Sequence, residues 1–272
     1  MSDRPIILSI AGYDPSSGAG VTADVKTAAA MGCYAVTCIT ALTVQSTQGV
    51  FEVAPVSPEL VRETLDRLVE DVEISAVRVG MLGSVEVTKV VTEHLRRYKH
   101  PNIVLDPVLR SSSGAALIDP AGIDHIRKEL LPVCRVVTPN FDEASVLAGV
   151  AEYRWNEASK EDVARTLAAK LHELGCRAVV ITGGDSAEAM DFLSVMDKDG
   201  AREQVFRGEK LDSRATHGTG CAFATALACG LAHGRDLETA VGEAKAFVRT
   251  AIEAAYPVGK GTGPMNHLFR VG

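Results

Sequence analysis

Short runs of aliphatic and β-branched residues alternate along this chain with longer stretches whose apolar positions recur every three or four residues. Residues 6–11, Ile-Ile-Leu-Ser-Ile-Ala, have the near-continuous apolar character of a strand buried on both faces, and residues 21–31 read as a helix of small side chains. Residues 34–42 are β-branched and predict a second strand. Residues 58–69 carry Leu60, Val61, Leu65 and Leu68 at helical spacing. The alternation continues with strand Ala76–Val79, helix Val85–Tyr98, strand Ile103–Leu105, a helix over 121–131 and strand Val136–Val137. A helix over 161–174 and a strand over 178–182 come next. Residues 192–196 and 203–211 read as a hairpin around Asp197-Lys198-Asp199-Gly200, and helices over Thr219–Ala232 and 237–255 close the chain. Strands alternating with helices imply an α/β fold with a central, mainly parallel sheet between helical layers. No linker, repeat or compositional break interrupts the pattern, so a single domain over residues 1–272 is expected.

Composition narrows the function classes. Of 272 residues, 46% are hydrophobic and 23% charged, ordinary proportions for a chain with a substantial core. A formal net charge of −7 argues against a nucleic-acid or anionic-membrane surface. No apolar run is long enough to cross a bilayer, and the first five residues are short and polar rather than a secretory leader. The six cysteines form no CxxC and no zinc-spaced Cys/His pair, so reduced, buried thiols and a cytoplasmic setting are expected.

In a parallel sheet, ligands gather beyond the carboxyl ends of the strands. Those ends carry polar or glycine-bearing segments here: residues 12–20, 43–47, 80–83, 106–114, 138–143 and 182–185. The segment Thr216-His217-Gly218-Thr219-Gly220-Cys221 places flexible backbone before a helix and a thiol on its first turn. N–H groups and the helix dipole make such a junction an anion site, and the same dipole is expected to lower the pKa of Cys221 toward a reactive thiolate. Taken alone, the segment equally fits a Gly-Thr-Gly turn capping a buried helix with Cys221 as a core residue. Residues 12–20 hold no G-x-G-x-x-G, and the chain has neither a G-x-x-x-x-G-K-[ST] loop nor a G-x-S-x-G elbow. Phosphate chemistry would therefore use the late helix start, with carboxylates for magnesium from other strand ends.

The order Gly12-x-Asp14-Pro15-Ser16-x-Gly18-Ala19-Gly20, Ala23-Asp24-x-Lys26-Thr27, Thr40-Ala41-Leu42-x-x-Gln45-x-Thr47, Gly80-Met81-Leu82, Asp106-Pro107-Val108, Thr138-Pro139-Asn140-x-x-Glu143-Ala144 and Thr216-His217-Gly218-Thr219-Gly220-Cys221 resembles the hydroxymethylpyrimidine/phosphomethylpyrimidine kinases of thiamine biosynthesis, a branch of the ribokinase-like superfamily. The tail Gly259-x-Gly261-x-Gly263-Pro264-x-x-His267 is also similar. The resemblance implies a ribokinase-like fold and ATP- and Mg²⁺-dependent phosphorylation of the pyrimidine's hydroxymethyl group, then of the monophosphate. It implies that Gly218, Thr219 and Gly220 form the anion hole, with Cys221 as catalytic base. Gln45, Asp24, Gly12 and Met81 would contact the acceptor. Asn140, Glu143, Thr182, Gly184 and Arg110 would serve the nucleotide, and Asp106 and Glu143 the metal. The expected partners are the small pyrimidine and ATP, without nucleic acid or membrane, and the chain is expected to form a homodimer. Asn140 also suits a helix cap, Asp106 a turn-forming Asp-Pro step, Asp24 a carboxylate at a helix start and Met81 plain core filling.

The chain departs from the family at four places. Thr182 and Ser112 stand where lysines are usual, so Arg110 or Arg214 must supply phosphate-binding charge. Tyr13 and Ser17 replace smaller residues and should narrow the acceptor mouth. Two alternatives stand beside the leading reading: a pyridoxine, pyridoxal or pyridoxamine kinase, and a catalytically weak ligand-binding relative.

Overall fold

One sheet of nine strands organises the computed structural model, which describes residues 4–111, 114–150, 159–184 and 189–270. The strands are β1 (Ile6–Tyr13), β2 (Tyr34–Ser46), β3 (Gly49–Pro55), β4 (Ala76–Val79), β5 (Ile103–Leu105), β6 (Val136–Val137), β7 (Ala178–Ile181), β8 (Asp191–Asp197) and β9 (Gly200–Phe206). Their spatial order is β3-β2-β1-β4-β5-β6-β7-β8-β9. From β2 through β7 every pair is parallel; β3, β8 and β9 are added antiparallel at the two edges. Chain order reverses direction beside β1, which places a crevice at the carboxyl ends of β1, β4 and β5.

Helices α1 (Gly20–Ala30), α2 (Pro58–Asp71), α3 (Val85–Tyr98), α4 (Pro120–His125), α5 (Phe141–Ala148), α6 (Lys160–Glu173), α7 (Thr219–Ala232) and α8 (Leu237–Glu253) cover both faces. Strand alternation sorts the core. Leu8, Val77, Leu105, Val137 and Val179 pack with Leu65, Leu95, Leu147 and Leu167 of α2, α3, α5 and α6. Ile7, Ala76, Val104, Val136 and Ala178 pack with Ala28 of α1, Leu227 of α7 and Phe247 of α8. This parity carries consequences for the polar residues that continue each strand, because period 2 sends Ser9, Arg78 and Asp106 toward the α7 face.

The predicted alternation is present, with local differences. The sequence reading ended β2 at residue 42, yet the strand runs through Ser46 and pairs with β3, which was not predicted. Gly49 and Pro55 bound β3 and both faces of it are half exposed, so it lacked the apolar contrast that marks a strand. The helix expected over 121–131 starts at Pro120, capped by Asp119 accepting from Gly122 N–H at 2.6 Å, then widens into a π turn over Ile126–Leu130. The hairpin turns as expected, but β9 spans Gly200–Phe206 rather than 203–211. All six cysteines are free thiols, as expected. No helix among the described residues is long and apolar enough to cross a membrane.

Candidate active site

A cavity of about 1370 Å³ opens at the carboxyl ends of the strands. It is wide enough for a nucleotide and a small acceptor together. Its walls include Gly12, Asp14, Gln45 and Met81 on one side, residues 218–221 at the floor, and Asp106, Arg110, Asn140, Glu143, Thr182 and Gly184 on the other. Of the described residues expected at the site from sequence, Asp24, Ser17 and Arg214 are not in the wall.

The floor is the start of α7. No side chain caps its first turn, so N–H groups that a helix cannot satisfy internally face the cavity. Gly218 precedes it with φ 80°, and a Cβ there would overlap the carbonyl oxygen of Gly18. Glycine is thus required both by backbone conformation and by the close approach of the first loop to the anion hole. The loop is shaped by Asp14. Its carboxylate accepts from Ser16 N–H at 2.7 Å, Ser16 Oγ at 2.7 Å, Gly18 N–H at 3.1 Å and Ala19 N–H at 2.8 Å, and lies 2.8 Å from His217 Nε2. Burial works to raise its pKa, but these donors, His217 foremost, hold it down at about 2. The Gln45 carboxamide lies 3.2 Å from the same His217 nitrogen, so β2, the first loop and the α7 start meet at one imidazole.

Ser17 does not line the cavity, which corrects the expectation that it narrows the acceptor mouth; Tyr13 does line it. Ser17 instead adopts φ 61°, a left-handed conformation that favours glycine. Ser17→Gly should therefore raise thermal stability by about 1 kcal/mol, read as a Tm increase of roughly 2–4 °C by calorimetry; an unchanged or lower Tm would show that the Ser17 conformation carries no strain.

Cys221 is where the sequence reading needs its main correction. The expected thiolate is not the resting state: burial pushes the thiol up to about 12, with Arg78 opposing the rise and the Asp106 and Asp24 carboxylates adding to it. Cys221 hydrogen-bonds Asp106, whose pKa is raised by burial and by Asp24 despite Arg78. Asp24, expected to close the acceptor pocket, is fully buried behind the wall. It accepts from Ser9 Oγ at 2.5 Å and Thr225 Oγ1 at 2.7 Å and pairs with Arg78 Nη1 at 3.2 Å. Its role is to hold Arg78 and α7, not the acceptor.

The metal side is anionic. Asn140 and Glu143 form a reciprocal capping box at the start of α5, Glu143 N–H to Asn140 Oδ1 at 2.9 Å and Asn140 N–H to Glu143 Oε2 at 3.0 Å. Burial, and then the Asp106 charge, push Glu143 up to about 8. Burial raises both carboxylates, and the Asp106 charge adds to the rise at Glu143; with one Asp106 oxygen already on Arg78, the two fit Mg²⁺, which takes few protein oxygens and completes its shell with water and phosphate. Among the described residues no cluster of three or more His, Cys, Asp or Glu could hold a metal by itself.

Three things were missed from sequence. Arg78 is a fully buried guanidinium reaching the cavity wall. His217 pairs with Asp14. Lys245 also lines the wall, its ammonium on Asp191 at 2.7 Å. Arg78 had a signal: a charge inside the four-residue strand Ala76–Val79, in phase with Ala76 on the α7 face. The other pairings join residues far apart in sequence and had none. Arg110 stands exposed on the wall, whereas Arg214 is not part of it. Ser112 and Asp185 lie outside the described residues.

A family model described as phosphomethylpyrimidine kinase matches residues 14–266. The chain belongs to this family. A hydroxymethylpyrimidine/phosphomethylpyrimidine kinase of Streptomyces coelicolor is 40% identical over 269 residues, covering 98% of this chain and 96% of that protein. A thiamine biosynthesis bifunctional protein of Geobacter sulfurreducens is 38% identical over 98% of this chain, which spans 53% of that longer protein. Among solved structures, an ADP complex of Bacillus subtilis pyridoxal kinase superposes with a TM-score of 0.87 at 30% identity, covering 99% of this chain and 100% of that one. The fold is therefore ribokinase-like, as the resemblance implied, and the phosphomethylpyrimidine kinase motifs quoted from the sequence, the one over residues 23–27 excepted, reach one cavity.

Proposed function

We propose that this chain, acting as one kinase domain over residues 1–272, transfers the γ-phosphoryl group of ATP to the hydroxymethyl oxygen of 4-amino-5-hydroxymethyl-2-methylpyrimidine, and then to the resulting monophosphate, for thiamine biosynthesis. The observation that carries this reading is one cavity holding an uncapped helix start, a first-turn thiol and two carboxylates, Asp106 and Glu143, whose pKa values burial raises. Phosphoryl transfer asks little covalent chemistry of a protein. It asks for position and for charge stabilisation around the moving group.

In this reading Gly12, Gln45 and Met81 hold the acceptor. Asn140, Thr182, Gly184 and Arg110 face the nucleotide. Backbone N–H groups at 218–221 stabilise charge that develops on the transferring phosphoryl oxygens. Cys221 takes the hydroxyl proton, and because its resting form is the neutral thiol, its own proton must leave first; Asp106, hydrogen-bonded to it, is the group placed to receive that proton. Glu143 and Asp106 are the residues that would hold Mg²⁺, which when bound would neutralise the ATP phosphates.

The raised Glu143 pKa has a measurable sign. Folding raises the Glu143 pKa, so its ionised form costs stability fully above about pH 8, and the cost fades as pH falls toward its ordinary value. Glu143→Gln should raise Tm at pH 8.5 without Mg²⁺ by a few degrees and make no difference near pH 4. The same variant should lower kcat roughly 10²-fold and lose most of the stabilisation that Mg²⁺-ATP gives the parent. Equal Tm at both pH values would contradict the raised pKa.

A pyridoxal kinase is the second reading, favoured by the close superposition on the Bacillus subtilis enzyme. Coupled ADP-release assays with the pyrimidine, its monophosphate and pyridoxal side by side decide between them. The pyrimidine should lead pyridoxal in kcat/KM at least tenfold. The reverse order would make the chain a B6-vitamer kinase, and no ADP release with any acceptor would make it a ligand-binding relative. The reading also places the chain in the cytoplasm as a homodimer, with Leu42, Val44 and Phe51 exposed on β2 and β3 as the face for the second copy.

A further inference from the structure

Arg78 is among the largest side chains wholly removed from solvent. A lone buried guanidinium is prohibitively costly, so its surroundings show what it is for. Nη2 contacts Asp106 Oδ2 at 2.5 Å, and Nη1 contacts Asp24 Oδ2 at 3.2 Å. The hydroxyl of Thr225 lies 2.7 Å from the other Asp24 oxygen and 2.8 Å from the Cys221 carbonyl. Arg78 also hydrogen-bonds the Cys221 side chain. One side chain on β4 thus connects the end of β5, the start of α1 and the first turn of α7.

Stability alone does not account for this arrangement. A buried ion cluster contributes little net stability, and apolar side chains of the same volume serve as well or better. The chain also makes special room for the cluster: a Cβ on Gly80 would overlap Arg78 Nη1. Among the described residues the Nε atom has no hydrogen-bond partner, and the residue reaches the cavity wall.

We propose that Arg78 is a positioning residue for phosphoryl transfer, holding the Asp106 carboxylate and the first turn of α7 in register beneath the transfer point. It touches neither substrate. It fixes the groups that do, and fixed geometry is where misplacement by about 1 Å costs roughly 10²-fold in rate. The proposal rests on the assignment of Cys221 to the transfer point.

The test compares the parent with Arg78→Met, Arg78→Lys and Gly80→Ala by steady-state kinetics and thermal unfolding. Arg78→Met should lower kcat about 10²-fold while KM for ATP and for the pyrimidine stays within about threefold. Arg78→Lys, which keeps a cation in reach of Asp106, should recover at least about tenfold of that loss. Gly80 is not part of the cavity wall, so Gly80→Ala acts by displacing the guanidinium without removing its charge. It should show the same loss in kcat with KM retained. Where Arg78→Met does not yield folded protein, the decision is read on Gly80→Ala. Parental kcat in folded Arg78→Met or in Gly80→Ala, or a loss confined to KM or Tm, would overturn the proposal. If Cys221→Ala turns over like the parent, the transfer-point assignment falls and the proposal with it; if Cys221→Ala is impaired and Arg78→Met is not, the role of Arg78 alone is overturned.

Discussion

Cys221→Ala should lower kcat by roughly 10²–10⁴-fold, the range lost when a general base is removed, and leave Tm within a few degrees of the parent. The thiol is half-buried on the first turn of α7, bonded to Asp106 and beside Arg78, and the Arg78 pairs with Asp106 and Asp24 that tie β4 to β5 and α1 do not depend on it. Because the resting thiol is neutral, with its pKa pushed up to about 12, the loss should appear in kcat rather than in binding of the pyrimidine. Isothermal titration with the pyrimidine and a non-hydrolysable ATP analogue separates the two. Parental kcat would reduce Cys221 to a pocket wall and require another base. Weakened pyrimidine binding with intact turnover of the bound complex would instead make Cys221 a recognition residue.

Gly218→Ala should damage both the fold and the activity. The backbone there is left-handed at φ 80°, and the added Cβ overlaps the Gly18 carbonyl oxygen, so the α7 start and the first loop are forced apart. Left-handed strain costs about 1–2 kcal/mol and overpacking about 1–3 more, which together lower Tm by roughly 5–10 °C. Activity should fall further than stability, by about 10³-fold in kcat, because the displaced N–H groups are those facing the transferring phosphoryl. A folded variant with near-parental kcat would show that the first-loop contact does not position the anion hole.

The features legible in sequence share a physical property: they are local. Buried strands and amphipathic helices announce themselves by period, and Asn140 with Glu143 by the three-residue spacing of a capping box. The helix start at residues 218–221 was readable for the same reason. Charge states were not. A helix dipole lowers the pKa of a thiol at an exposed helix start, but at Cys221 burial, and then the Asp106 and Asp24 carboxylates that folding brings beside it, act the other way. Asp24 lay in a motif yet faces inward, because residue 24 sits on the side of α1 that meets Ser9 and Thr225 rather than the cavity. The edge strand β3 escaped because both of its faces are partly exposed, which removes the alternation that a strand with one buried face shows. Arg78 was visible in the letters and became informative only once strand parity placed it on the α7 face.

Phosphorus-31 NMR of the chain incubated with ATP, Mg²⁺ and 4-amino-5-hydroxymethyl-2-methylpyrimidine tests the central claim most directly, since it observes the bond being made. A phosphomonoester resonance should appear first and give way to a pair of coupled diphosphate resonances, with two ATP consumed per pyrimidine. A spectrum in which ATP falls to ADP and inorganic phosphate alone, or does not change, would contradict the account.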